Sequence, residues 1–245
     1  MSYREIFVPG QDGSRVSAVL MGPLVYAPAL LPLTEPGAGL DAQLESVLGR
    51  VRSVLGEAGC GTSDLVRVTL FMREVKDRRV LNEVWREWFP DPARRPPHKY
   101  IPAAVPGGHE VMADAVAVLD GGRRILQVPG LEHRDPMSMG ARAGNLVFSS
   151  RLFASEETVE SQLARLLGHA SSLMREADGD LRDLTQVTLF ADSPAAAARA
   201  EGAWREAWQK VSAGTGTEPE LQVAVVDLGG NGKPRMEVIG VIRDV

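Results

Sequence analysis

Apolar and polar positions alternate from Val16 to Tyr26 as in a β-hairpin, and from Asp41 to Ala58 the period changes. There Leu44, Val47, Leu48, Val51, Val54 and Leu55 fall on one helical face. The β-branched run from Val66 to Met72 predicts a strand, Arg78 to Phe89 a second amphipathic helix with Trp85 and Phe89 on one stripe, and Val111 to Leu119 a closing strand. The same switches recur downstream over Glu160 to Ala177, Thr185 to Phe190, Ala195 to Val211 and Met236 to Ile242. The predicted order is ββαβαβ, twice, an α+β architecture with both helices on one face of each sheet. The opposite face then needs cover, either from the other half or from further copies of the chain.

The recurrence extends to residue identity. At an offset of 119 residues, Gln43-Leu44 meets Gln162-Leu163, Asp64-Leu65 meets Asp183-Leu184, Val68-Thr69-Leu70-Phe71 meets Val187-Thr188-Leu189-Phe190, and Trp85-Arg86-Glu87 meets Trp204-Arg205-Glu206. Upstream the offset is 122, pairing Gly22 to Tyr26 with Gly144 to Phe148. A period of about 120 residues is a whole domain and not a solenoid unit. Asp120-Gly121-Gly122 follows an apolar run and precedes a new strand from Ile125, which divides the chain into residues 1–121 and 122–245.

The chain has 245 residues, 44% of them hydrophobic and 24% charged, as expected of a globular protein. Its net charge of −5 argues against electrostatic capture of nucleic acid or anionic membrane. No apolar segment reaches the ~18 residues of a membrane span. The single cysteine, Cys60, rules out an intrachain disulfide and suits a reducing cytoplasm, and no leader is expected.

The Gly-Asn-Leu-Val-Phe-Ser-Ser run at 144–150, the Asp-Leu-x-x-Val-Thr-Leu-Phe strand, the helix from Asn82 to Phe89, and Ala103-Ala-Val-Pro106 before a terminal strand resemble the RidA/YjgF family across most of both halves. That resemblance implies a trimeric, chorismate-mutase-like fold with small-molecule sites between neighbouring domains, and cofactor-free hydrolysis of enamines and imines. It also implies an Arg gripping a substrate carboxylate about nine residues before a Leu-Pro turn, and a proton-handling Glu about six after it. Counted from Pro106, these fall on Pro97 and Met112, leaving His98 and Lys99 as polar substitutes. In the second half the Arg position falls near Leu221, and Glu237 stands for the Glu. The family Asn is kept as Asn82 and replaced by Glu201; its Ser-Gly becomes Pro28-Ala29 and Ser150-Arg151, and its Tyr becomes Arg15 and Met137. The first domain thus has a degenerate site and the second a partly retained one.

Glu237 lies in an apolar strand, a setting suited to a general acid or base, and is the expected catalytic residue. Asp114 is its weaker counterpart. Expected substrate-binding residues are Ser150, Arg151, Arg15, Asn82, His98, Lys99 and Glu201; His98 with Lys99 and Tyr100 suits an anion, although a histidine following two prolines also fits a solvated loop. His109-Glu110 has no second His at zincin spacing, so no metal is expected, and Gly229 to Lys233 reads as a turn. The expectation is a cytoplasmic, cofactor-free acid–base enzyme acting on a small carboxylate-bearing metabolite by imine or enamine hydrolysis, tautomerisation, dehydration or cyclisation. It is expected to assemble as a homotrimer, without membrane or nucleic-acid partners. The alternative is a non-catalytic ligand-binding or partner subunit; a chorismatase-like hydrolase and a ribonuclease rank below it.

Overall fold

The computed structural model describes residues 3–8, 16–74, 78–131, 135–212, 218–227 and 232–243. The chain forms two compact units, one of Met1–Ile125 with His133–Ser138, the other of Leu126–Glu132 with Met139–Val245. The segment holding Asp135 therefore counts with the first unit, beyond the Gly121-Gly122 break that composition marks.

The first unit runs β1 (Tyr3–Ile6), β2 (Ala18–Met21), β3 (Leu24–Leu30), α1 (Leu40–Ala58), β4 (Leu65–Met72), α2 (Arg78–Trp88), β5 (His98–Pro102) and β6 (Val111–Val118). Its sheet has the order β1-β2-β3-β6-β4-β5. To the expected ββαβαβ order it adds β1 and an edge strand, β5, which pairs parallel with β4, Val68 opposite His98 and Leu70 opposite Tyr100. Both helices cover one face. Leu44, Val47, Leu48, Val51, Val54 and Leu55 of α1 pack with Val68, Leu70 and Met72 of β4 and Ala113, Ala115 and Ala117 of β6. The α2 anchors are Leu81, Val84 and Trp85, whose ring lies 4.5 Å from that of Phe89.

The second unit continues with β7 (Arg124–Leu126), β8 (Gly140–Ala143), β9 (Leu146–Ser149), β10 (Leu152–Phe153), α3 (Val159–Glu176), β11 (Leu184–Ala191), α4 (Pro194–Val211), β12 (Glu220–Val225) and β13 (Arg235–Val241). Its sheet order is β12-β11-β13-β9-β8-β7, with β10 also on β13. Here too an edge strand, β12, lies parallel to β11 after the second helix. Trp204 and Trp208 stack at 5.4 Å under α4, one fully and one nearly buried.

Local chemistry explains the boundaries. Gly59, at φ 89°, closes α1 in the left-handed conformation, and Cys60 N–H donates to Leu55 O at 2.9 Å. Thr158 caps α3, and Ser193 caps α4 ahead of Pro194. The repeated glutamine pins the loop before the first helix of each unit. Buried Gln43 donates to the carbonyls of Pro36 and Ala38 and accepts from Glu110 N–H, while Gln162 donates to Glu156 O.

At Gly140 helix and sheet approach too closely for a side chain. An added Cβ would stand 2.7 Å from Phe148 O and 3.1 Å from a Leu173 methyl, whereas Gly168, exposed on α3, has nothing within 4 Å. Gly140→Ala should destabilise the protein by about 1–3 kcal/mol through overpacking. Gly168→Ala should stabilise it by about 0.5–1 kcal/mol through the lower backbone entropy of its unfolded state. Urea unfolding midpoints of the two variants against the parent check both signs.

Candidate functional site

Alternation along the strands places the polar residues of each sheet on two levels. On β4 the core residues Val68, Leu70 and Met72 point toward the helices, which turns Thr69 to the opposite face. The register aligns Lys99, Thr69 and Asp114 in one row across β5, β4 and β6. In the second unit the same row reads Gln222, Thr188 and Glu237 across β12, β11 and β13. Glu237 is thus the register counterpart of Asp114, and the counterpart of Met112, opposite Phe71, is Arg235, opposite Phe190.

Both rows end at a bulge. Between Ala27 and Leu30, β3 carries Pro28-Ala29 against Asp114, with Ala29 at φ 51°. Asp114 fastens this bulge: Ala29 N–H donates to its carboxylate at 2.7 Å and the Tyr26 hydroxyl at 3.3 Å. The equivalent bulge, Ser150-Arg151, links β9 to β10 against Glu237. Its anchor is Ser149, whose hydroxyl accepts from Val238 N–H at 2.8 Å, while Ser150 N–H donates to Met139 O at 2.7 Å. Glu237 is 4% exposed between fully buried Met236 and Val238; Ser150 is buried, and the Arg151 guanidinium lies 5.9 Å from the Phe190 ring centroid. The second unit thus gathers Glu237, Ser150 and Arg151 at one bulge. Glu201 is not part of that row: on α4 it pairs with Arg205, one turn on, at 2.6 Å.

The first unit gathers a different set on the helix side of its sheet. His98, expected as a loop residue as readily as a ligand, starts β5 and is completely buried, its ring 4.2 Å from that of Trp85. The register makes His98 the counterpart of Leu221, the position where the second half places the family Arg. Next to it Asn82 Nδ2 donates to Asp135 at 2.9 Å, the Tyr100 hydroxyl donates to the other oxygen, and Arg78 stands 3.9 Å from that oxygen and 4.8 Å from the Tyr100 ring centroid. Burial pushes the Asp135 carboxyl upward, but hydrogen bonds from Tyr100 and Asn82 and the charges of Arg78 and His98 outweigh it and hold the group below its ordinary value. Asp135 is the residue sequence reasoning missed. It lies in a stretch without periodicity, and Asn82, already singled out, was the only pointer to it.

Lys99 is buried in the row on the opposite sheet face, and Arg15 lies outside the described residues, as does most of the Gly229 to Lys233 turn. Three surface grooves, of about 560, 280 and 670 Å³, lie against the helices; none is lined by Glu237, Ser150 or Arg151. Among the described residues no cluster of His, Cys, Asp and Glu could hold a metal ion, and no helix is long and apolar enough to cross a membrane. Cys60 is half-buried, and its thiol is pushed up to about 11 by burial and by Asp64 and Asp120, which suppresses the reactive thiolate.

The Asp135 contacts carry a pH dependence of definite sign. Because the folded-state value is depressed, their stabilisation is complete above the unfolded carboxylate value of about 3.9 and is lost as the pH falls through the folded value. Asp135→Asn should cost about 1.5–3 kcal/mol near neutrality, the range for hydrogen bonds to a charged group. Denaturant titrations of parent and variant should then converge as the pH drops below about 4.

The sequence model for the family "Endoribonuclease L-PSP" matches residues 11–118, within the first unit. A RutC family protein of Synechocystis is 34% identical over 89 residues, covering 36% of this chain and 68% of the relative. The human 2-iminobutanoate/2-iminopropanoate deaminase is 26% identical over 118 residues, covering 45% of this chain and 83% of the relative. Among solved structures, a YjgF/YER057c/UK114 family member from Mycobacterium tuberculosis is 24% identical, covers 48% of this chain and 100% of its own, and superposes with a TM-score of 0.42. Escherichia coli TdcF with bound serine is 24% identical, covering 47% of this chain and 98% of its own, with a TM-score of 0.42. With the sequence kinship to the Synechocystis protein and the motifs set out above, the chain belongs to the RidA/YjgF family.

Proposed function

We propose that the protein is a cofactor-free acid–base enzyme that hydrolyses a small imine or enamine bearing a carboxylate, working through its second unit. The observation that carries this reading is the burial of Glu237, a carboxylate with 4% exposure, opposite the Ser150-Arg151 bulge. A side chain so enclosed is held in one orientation, as proton transfer to a fixed substrate atom requires. In this reading Arg151 takes the substrate carboxylate and Ser150 hydrogen-bonds its polar end. Glu237 removes a proton from water as the oxygen adds to the imine carbon and delivers it to nitrogen, giving a carbinolamine; it then carries the carbinolamine hydroxyl proton to nitrogen as the carbon–nitrogen bond breaks. The products are a keto acid and ammonia. The name of the human relative, an imino-acid deaminase, supports the reaction class. The first unit is not assigned this chemistry in the proposal, because Asp114, the register counterpart of Glu237, is engaged in fastening its own bulge.

A second reading, a ligand-binding subunit without catalysis, draws on the first unit, where Asn82 and His98 surround a carboxylate and no acid–base pair is evident in the family positions. Ribonuclease action, named in the description of the matching family model, is set against a net charge of −5. The proposed location is the cytoplasm and the proposed assembly a homotrimer, a closed threefold arrangement in which equivalent halves of three chains meet around one axis.

Two measurements test these readings. Ammonia release from 2-iminopropanoate, generated in situ, should fall at least about 100-fold in Glu237→Gln with the fold intact, the usual contribution of a general acid–base residue. Undiminished release would remove Glu237 from the mechanism, and absence of any release by the parent would favour the binding subunit. Light scattering should give three times the 26.4 kDa chain mass; a stable monomer would refute the trimer.

A further inference from the structure

We propose that Arg94 and Arg123, with the hydroxyls of Thr62 and Ser63 and the carboxylate of Asp91, form a binding site for inorganic phosphate in the first unit. The inference is independent of the chemistry assigned to Glu237.

These residues and Trp88 line the groove of about 280 Å³, at the end of the sheet where the parallel strands β4 and β5 begin. Arg123 is fixed there by main-chain carbonyls: its Nη1 donates to Thr62 O at 3.1 Å and Leu65 O at 2.7 Å, and its Nη2 to Arg94 O at 2.6 Å. Those bonds leave its Nε–H and one Nη2 hydrogen for a further acceptor. They also bring Arg94 alongside, so two guanidiniums share one groove. Burial and the Arg94 charge disfavour the Arg123 cation more than Asp64 favours it, pushing the group down to about 10. An anion seated between the two cations reverses that repulsion and takes charge-assisted hydrogen bonds from both.

A structural clamp needs Arg123 alone. Among the described residues the exposed Arg94 side chain makes no ion pair or hydrogen bond, and neither do the hydroxyls of Thr62 and Ser63, so these donors serve no contact of the fold. The carbonyls that end α2 do not set a negative pole against the anion, because Phe89 O and Pro90 O accept from the Arg95 guanidinium at 2.8 and 3.1 Å. Asp91 then selects among oxyanions. Its Oδ1 accepts from Ala93 N–H at 3.0 Å, which leaves Oδ2 as an acceptor on a wall of donors. Only an oxyanion that keeps an O–H can donate to it; the others are repelled. Near neutrality hydrogen phosphate keeps its proton, whereas sulfate has none and a phosphate monoester, with a second pKa of about 6, has lost most of its own. At the offset of 119 residues Thr62, Asp91 and Arg94 become Leu181, Lys210 and Ala213, so the second unit does not repeat the set.

Equilibrium dialysis of the full chain against radiolabelled inorganic phosphate, at about pH 7.5 and constant ionic strength in chloride, tests the site. Binding should saturate at one phosphate per chain below about 10 mM. Sulfate and phenyl phosphate should compete at least about 10-fold less well than unlabelled phosphate. Arg94→Gln should raise the phosphate Kd at least about 10-fold, the loss expected of one hydrogen bond to a charged group. Arg199→Gln, which removes the same charge from an exposed position on α4, should leave the Kd unchanged. Asp91→Asn retains a side chain able to cap Ala93 N–H and should abolish the preference for phosphate over sulfate. Absence of saturable binding by the parent, an unchanged Kd in Arg94→Gln, an equal loss in Arg199→Gln, or sulfate competing as well as phosphate would overturn the site. The readout is binding and not ammonia release, so a failure here and a failure of the Glu237 reading are distinguishable.

Discussion

Covering one face of each sheet with two amphipathic helices decides where every other kind of residue can stand. Strand side chains alternate, so once Val68, Leu70 and Met72 are committed to α1 and α2, Thr69 must face the other way, and so must its register partners Lys99 and Asp114. The same commitment in the second unit, through Val187 and Leu189, sends Thr188, Gln222 and Glu237 to the corresponding face. A shift of one residue would exchange these sets and bury three polar side chains in the helix-side core, at a cost no local bond could offset.

The edge strands are where the units part. A strand at the rim has one neighbour and half the packing constraints of an inner strand, so β5 and β12 can differ without disturbing the core they border. In β12 the positions facing the helices are Leu221 and Val223, which pack against the apolar cluster and require nothing more. In β5 they are His98 and Tyr100, and burying them brings polar atoms into an apolar layer. Asp135 supplies an acceptor for Tyr100 and Asn82 and a countercharge for Arg78, which makes the polar cluster compatible with burial.

The sequence made the inner elements legible for the same reason. The helices and the central strands β4, β6, β11 and β13 carry full apolar stripes, and their boundaries lie within one or two residues of the periodicity. The rim strands were not legible: β5 reads His-Lys-Tyr-Ile-Pro after two prolines and β12 reads Glu-Leu-Gln-Val-Ala-Val, too short or too polar to separate from loop. Of the candidate residues, motif and spacing single out Asn82, Glu237 and Ser150, and the structure sets Glu237 and Ser150 at one bulge and Asn82 on α2 beside Asp135. Counting from Pro106 places Met112 at the family Glu position, whereas strand pairing makes Asp114 the register counterpart of Glu237, because counting from a turn cannot see a shift in loop length. Asp135 had no periodic or motif signal at all, its role being set by partners distant in sequence.

The two units also differ in the residues that secure and line their bulges. In the first unit the carboxylate of the row, Asp114, fastens the bulge through Ala29 N–H and Tyr26. In the second, Ser149 joins the bulge to β13, its hydroxyl accepting from Val238 N–H. A bulge re-aims the side chains beside it, and the residues it presents differ accordingly: Pro28 and Ala29, with no donor or charge in their side chains, against Ser150 and Arg151, with both. The first unit thus sets its row carboxylate against a bulge whose side chains carry no polar group, and the second sets Glu237 against a bulge that carries a hydroxyl and a guanidinium. That difference in side-chain chemistry between the two bulges is the physical basis of the proposal that the reaction belongs to the second unit.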